Sequence, residues 1–204
     1  ALVDLLADDG TGIKLYSIPN EEAKQDLSLN INHLNLGELS MVMPYMPSIQ
    51  GLLQGDIHYV QADSSFTLST DMQVKGMQYE HNPLGDVGLN MVYFPNQDGT
   101  HYIDGIVSHN GNEVMLLGGQ YMMHEEGDSI EATAELIRMP MRTANAFIPD
   151  NLARLDGYAD GTLQISGKAD TPLLEGFLAT DSLHIISDPY NVNLRVADDT
   201  IHIT

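Results

Sequence analysis

Two hundred and four residues at 43% hydrophobic content make a globular chain long enough to bury a substantial core, and exclude a disordered tail. Eight Lys and Arg stand against 29 Asp and Glu, a formal charge of −21. That balance opposes the phosphate contacts of nucleic-acid binding and the pull of an anionic membrane surface, while keeping a chain rich in apolar strand faces in solution. With no Cys there is no disulfide, no thiolate nucleophile and no zinc–thiolate site.

The chain opens Ala1-Leu2-Val3-Asp4, without initiator Met or signal peptide, and no run approaches the roughly 20 apolar residues of a transmembrane helix. The expectation is a piece of a longer protein whose targeting segment lies elsewhere. After the turn signal Asp9-Gly10, Leu27-Ser28-Leu29-Asn30-Ile31-Asn32 alternates apolar and polar residues, the mark of a strand wet on one face. Met43-Pro44-Tyr45-Met46-Pro47-Ser48-Ile49 breaks the alternation, and its prolines bound a short helical turn near 43–50. A glycine pair follows, Gly51 and Gly55, and then strand-like Phe66-Thr67-Leu68-Ser69 and Val87-Gly88-Leu89-Asn90-Met91. Asn82-Pro83 and Asn96-Gln97-Asp98-Gly99 are turn signals, and Asn110-Gly111 predicts a tight hairpin between Gly105-Ile106-Val107 and Val114-Met115-Leu116-Leu117. Past the turn at Glu126-Gly127-Asp128, Ile130-Glu131-Ala132-Thr133-Ala134-Glu135-Leu136 alternates again.

A second Pro-bounded stretch predicts a helical turn near 141–153, and a second glycine pair, Gly157 and Gly161, repeats the first at an offset of 106. Asp71-Met72-Gln73-Val74 parallels Asp181-Ser182-Leu183-His184 at an offset of 110. These likenesses suggest a weak internal repeat, approximately 39–138 and 145–204, within a single segment spanning 1–204, and stackable units of this kind cannot bury their apolar face alone. Val192-Asn193-Leu194-Arg195-Val196, after Asp188-Pro189, and Ile201-His202-Ile203 complete an antiparallel all-β chain. Helices to cover its apolar faces are scarce. Either two sheets close over each other, or the apolar face stays open to hold something else.

Motifs for chemistry are absent. The eight His (His33, His58, His81, His101, His109, His124, His184, His202) form no His-x-x-x-His or His-x-His pair, and His58, His184 and His202 fall on the polar phase of their strands, so solvated His and no metal site is the expectation. Many acids sit in turns (Asp8-Asp9, Glu21-Glu22, Glu125-Glu126, Asp198-Asp199), where carboxylates are solvated rather than catalytic. Asn96-Gln97-Asp98-Gly99-Thr100 lacks the spaced acids and Glu of a calcium loop. There is no Gly-x-Ser-x-Gly elbow, Walker loop or dinucleotide fingerprint. No catalytic residue, cofactor or metal is therefore assigned. The apolar side chains are Leu, Ile, Val and 11 Met, with four Phe and no Trp, too few aromatics for sugar platforms. Such a wall either adapts to variable partners or fills a dry core.

The run Ala146-Phe147-Ile148-Pro149…Gly157-Tyr158-Ala159-Asp160-Gly161-Thr162-Leu163-Gln164-Ile165-Ser166-Gly167…Pro172-Leu173-Leu174-Glu175-Gly176-Phe177-Leu178 resembles the TamB family, the translocation and assembly module inner-membrane subunits, and their AsmA-like relatives. Their pattern is a Pro near a helical turn, G-x-x-x-G-x-L-x-I-x-G, then P-x-L-x-G-x-L. The likeness covers 145–204 and is looser over 46–93. It implies a curled antiparallel β-sheet forming a U-shaped apolar groove (a β-taco) in a long protein of the periplasm, anchored in the inner membrane by an N-terminal helix. It also implies a role in moving phospholipid or another acyl-chain lipid between membranes, or in outer-membrane protein assembly with the barrel TamA as partner. About a dozen strands ~4.8 Å apart would line roughly 55–60 Å of trough. The in-phase apolar residues expected to line it are Leu27, Leu29, Ile31, Phe66, Leu68, Leu89, Met91, Ala132, Leu136, Leu163, Ile165, Leu183, Ile185, Leu194 and Ile203. Cut sheet edges would invite artificial edge-to-edge dimers. The alternatives are a closed β-sandwich serving as a structural or adhesive module, where the same residues meet across a dry core, and, last, a hydrolytic β protein.

Overall fold

The computed structural model describes residues 3–43, 47–80, 82–123, 127–149, 152–196 and 199–204. The strands are β1 (Val3–Leu6), β2 (Gly12–Ser17), β3 (Gln25–Asn35), β4 (Ile49–Gln61), β5 (Phe66–Tyr79), β6 (Asn82–Pro95), β7 (Thr100–His109), β8 (Asn112–Met122), β9 (Ser129–Pro140), β10 (Arg154–Lys168), β11 (Leu173–Ser187), β12 (Val192–Arg195) and β13 (Thr200–Ile203). They form one antiparallel sheet in chain order from β1 to β12, with β13 beside β12 on the outer edge of β11. Its two edges do not meet, and no second sheet faces it, so the two-layer sandwich is not formed among the described residues. The β7–β8 hairpin closes on Asn110 (φ 50°) and Gly111 (φ 81°), the left-handed pair that a two-residue turn requires.

Two helical turns interrupt the meander: α1 (Leu36–Val42) and a 3₁₀ turn, Met141–Phe147. The second agrees with the expected turn near 141–153. The first corrects the one expected near 43–50: the helix lies upstream and strand β4 already begins at Ile49, while residues 44–46 fall outside the described set. The reason is a cap. Asn35 Oδ1 accepts the Gly37 N–H at 3.0 Å and Asn35 Nδ2 donates to Glu38 Oε1 at 3.1 Å, so the chain turns helical straight out of β3. The 3₁₀ turn is pinned by the Asn145 amide, which donates to the Leu155 carbonyl at 2.9 Å and accepts its N–H at 2.7 Å.

A line of β-bulges crosses the sheet. Two residues face one in β3 (Asn32-His33 opposite Gln54), in β9 (Ile137-Arg138 opposite Asp160), in β5 (Gly76-Met77 opposite Gly51) and in β11 (Ser182-Leu183 opposite Gly157). Val114 is the extra residue in β8. Each bulge bends its strand and shifts the side-chain phase by one. They fall in one band, Gln54 and Gly51 lying three residues apart on β4 and Asp160 and Gly157 three apart on β10, so the bends are strung together along the hydrogen-bonding direction. The result is an extended molecule. Its accessible surface is 12949 Å², against about 9,400 Å² for a compact monomer of this mass.

Candidate functional site

Register places the apolar residues in rows. One row runs Leu27, Tyr59, Leu68, Tyr93, Ile103, Gly119, Ala132, Ile165, Leu174 from β3 to β11. The next runs Leu29, Ile57, Thr70, Met91, Gly105, Leu117, Ala134, Leu163, Gly176, and reaches Ile203 on β13. The third is Ile31, Gly55, Met72, Leu89, Val107, Met115, Leu136, Gly161, Leu178, Ile201. No charged side chain interrupts any of the three. The row behind them, on the other face, reads Ser28, His58, Ser69, Val92, Asp104, Gly118, Thr133, Gln164, Glu175.

All fifteen residues singled out from the sequence lie on this apolar face. Eleven belong to the three rows; Phe66 lies two residues from Leu68 on β5. Leu183 and Ile185 follow the β11 bulge, whose extra residue returns them to the same face, and Ile185 pairs with Leu194. Tyr59, Ile57, Met72, Ile103, Met115 and Leu178 were not singled out, although the same period of two marks them. Away from the 3₁₀ turn, no second layer covers this face among the described residues: Ile103, Ile165, Leu174 and Leu194 are 40%, 36%, 43% and 50% exposed. Leu183 and Ile31, both at bulges, are buried.

The two ends of this face differ. At one end the 3₁₀ turn comes down on it, with the Phe147 ring 5.3 Å from that of Tyr79 on β5. Beneath it Asn82 shares a recess with Leu152, Ile186 and Pro189. At the other end five rings run across five strands. Tyr59 to Phe66 is 5.4 Å, Phe66 to Tyr93 5.8 Å, Tyr93 to His101 5.8 Å and His101 to Tyr121 6.3 Å between centroids. The Tyr93 hydroxyl bonds His101 Nδ1 at 2.5 Å and the Tyr121 hydroxyl donates to Asp128. That bond raises the Tyr121 pKa, because a phenolate would face the carboxylate, and burial adds to it.

The polar face carries ordinary strand and turn chemistry, with shallow depressions such as that between Asp56, Asp71, Asn90 and Asp104. Asp26, 6% exposed, is its one buried acid among the described residues. Asn20 Nδ2 donates to it at 2.8 Å and His58 Nε2 at 2.7 Å, and these bonds, Asn20's first, lower its pKa. Asp9 and Asp98 accept the N–H of Thr11 and Thr100, which lowers both pKa values; this turn bond accounts for the loop at Asp98. His58, His184 and His202 do lie on the polar face, with the His58 side chain 40% exposed and His202 exposed; the expectation of solvated His needs correction at His101 and His109, which are half-buried. His58 bonds Asp26, His184 bonds Asn193, and His101 and His109 are on the apolar face, the latter donating to the Leu84 carbonyl at 2.8 Å. His81, His124, Glu125, Glu126 and Asp198 lie outside the described residues.

Among the described residues no three His, Asp or Glu gather as a metal site, and no helix is long and apolar enough to cross a membrane. No family model, no curated protein and no solved structure matches this chain.

Proposed function

We propose that this chain is a lipid-handling segment: a gutter whose apolar face shields acyl chains while they pass between membranes. The observation that carries the reading is the set of three uncharged rows crossing one sheet that has no second layer. Exposed apolar area on this scale calls for an occupant. Each acyl methylene removed from water gains ~0.8 kcal/mol, so a wall of Leu, Ile, Val and Met holds lipid by area alone and needs no motif. Two features support a curled sheet. The bulges of β3, β5, β8, β9 and β11, joined by glycines whose Cβ would strike the neighbouring strand (Gly55 and Gly161, each 2.1 Å from a carbonyl oxygen), bend these strands within one band across the sheet. Exposure also alternates along β9, with Glu131, Thr133 and Glu135 exposed and Ala132, Ala134 and Leu136 half-buried, as expected if the apolar side is the inner one.

The resemblance of 145–204 to the TamB family extends the proposal to a periplasmic location, inner-membrane attachment of the parent protein, phospholipid as cargo and an outer-membrane barrel of the TamA kind as partner. Lipid mass spectrometry of the purified protein tests the cargo. Ile165→Asp puts a charge on a half-exposed position of the inner face, so it is expected to lower bound lipid while leaving the circular dichroism spectrum intact. Gln164→Asp, one residue along on the polar face, is expected to leave the lipid load unchanged. Equal loads in wild type and Ile165→Asp would end the proposal.

A further inference from the structure

We propose that the aromatic end of the apolar face is a headgroup rail, and that it selects lipids bearing an ammonium group over lipids with an anionic headgroup. The inference rests on the lipid-handling reading and adds the headgroup class to it. Acyl chains lying on the aliphatic rows leave their headgroups at the strand ends. At one of those ends the face terminates in the ladder Tyr59, Phe66, Tyr93, His101, Tyr121, with neighbouring centroids 5.4 to 6.3 Å apart. The rings are half-buried, so they are reachable from solvent, and Tyr59, Phe66, Tyr93 and Tyr121 each combine an apolar body with a face of negative potential that attracts cations.

Charge points the same way. The loops at this end carry Glu21, Glu22, Asp63, Asp98, Asp128 and Asp170. Two lysines oppose them: Lys24, held by Asp63 at 3.3 Å, and Lys168. Lys75, Arg138, Arg142, Arg154 and Arg195 all lie toward the bulged end. A glycerol headgroup, with its net negative charge, would approach an acidic rim with little to neutralise it. An ethanolamine or choline headgroup brings its own cation to the ring faces and the carboxylates. The ladder is continuous over β4 to β8, so a headgroup moving along the gutter exchanges one ring for the next without leaving a cation-attracting surface.

The test is competition. Purified protein is incubated with mixed micelles holding equimolar phosphatidylethanolamine and phosphatidylglycerol of identical acyl chains, re-isolated, and its lipid quantified by mass spectrometry. A cation–π contribution of about 1–2 kcal/mol predicts roughly 5- to 30-fold enrichment of the amine lipid. Tyr93→Leu and Tyr121→Leu are expected to bring the ratio close to one at an unchanged total load, whereas Tyr121→Phe, which keeps the ring, retains the enrichment. Equal uptake of both lipids by the wild type, or preference for the glycerol lipid, overturns the rail but leaves the gutter standing. Enrichment that survives both leucine variants places selection elsewhere and also overturns it. Absence of both lipids sinks the gutter and the rail together.

Discussion

Segments 25–79 and 129–187 follow the same course of strand, helical turn, strand and strand, yet meet the same geometric demands with different side chains. Gly51 and Gly157 stand opposite the bulges of β5 and β11, and Gly55 and Gly161 pair with Met72 and Leu178. The bulged residue of the first strand is His33 (φ 53°) in one segment and Arg138 (φ 43°) in the other; that of the last strand is Gly76 (φ 60°) or Ser182 (φ 54°). What the two share is backbone, and what differs is the chemistry placed on it. The backbone is therefore the part the bulged sheet requires, and the side chains at the bulges are free to take local duties. Arg138 illustrates this: its N–H donates to Asp160 Oδ1 at 2.8 Å, its guanidinium pairs with Asp181 at 3.2 Å and lies 4.9 Å over the Tyr158 ring.

The largest effect tests what is shared. A Cβ at Gly55 would lie 2.1 Å from the Asp71 carbonyl oxygen, and one at Gly161 2.1 Å from that of Phe177. Backbone cannot retreat as a flexible side chain would. Gly55→Ala and Gly161→Ala are each expected to cost more than about 3 kcal/mol, read as a drop in the urea midpoint, or to prevent folding. Gly111→Ala, in the β7–β8 turn where a Cβ would meet nothing within 4 Å, loses only the glycine's left-handed freedom and is expected to cost about 1–2 kcal/mol. If either strand glycine tolerates alanine as well as Gly111 does, the close approach of strands is absent and the two segments are not equivalent.

The next effect separates them. His33 and Arg138 each hold a left-handed conformation that costs an ordinary residue about 1–2 kcal/mol, partly offset in a glycine by its larger unfolded-state entropy of about 0.5–1 kcal/mol. His33→Gly should therefore stabilise the protein by about 0.5–1 kcal/mol. Arg138→Gly gains the same relief but loses the Asp181 pair, worth less than about 1 kcal/mol at such exposure, and the contact with Tyr158, about 0.5–1 kcal/mol, and is expected to be neutral or destabilising. Matched denaturant titrations decide it, and equal shifts would mean that Arg138 has no stabilising contact to lose.

Much of this architecture is visible in the sequence because alternation survives translation into strands. Leu27 to Ile31 and Ile130 to Leu136 announce both the strand and the side that faces the apolar rows, and Asn110-Gly111 announces the hairpin. The bulges are hidden, since His33, Arg138 and Ser182 look like ordinary strand residues and only register shows that each resets the phase; without them Leu34, Met139 and Leu183 would fall on the polar face. Helix α1 is missed because Leu34-Asn35-Leu36 continues the alternation of β3, though Asn35 and Glu38 at a spacing of three carry a capping signal. The aromatic ladder draws single rings from five strands across 63 positions, Tyr59 to Tyr121, and no local pattern could assemble it.

The smallest effect concerns a titratable pair that the first segment has and the second lacks. Asp26 accepts from Asn20 and from His58. At the position 106 residues after His58 the second segment has Gln164, which does not titrate. Because the two hydrogen bonds lower the Asp26 pKa in the folded state, the contribution is present above the ordinary carboxylate pKa of roughly 4 and is lost as pH falls through the lower, folded value. Asp26→Asn removes the charged acceptor at every pH. The expected result is a melting-temperature gap between wild type and Asp26→Asn that is widest near neutrality and closes under acid, as protonation brings the wild-type carboxyl to the variant's state. Gln164→Ala should show a gap that does not vary with pH, since neither side chain titrates. A gap for Asp26→Asn that is the same at neutral pH and in acid would show that the ionised carboxylate contributes nothing there beyond the shape of its side chain.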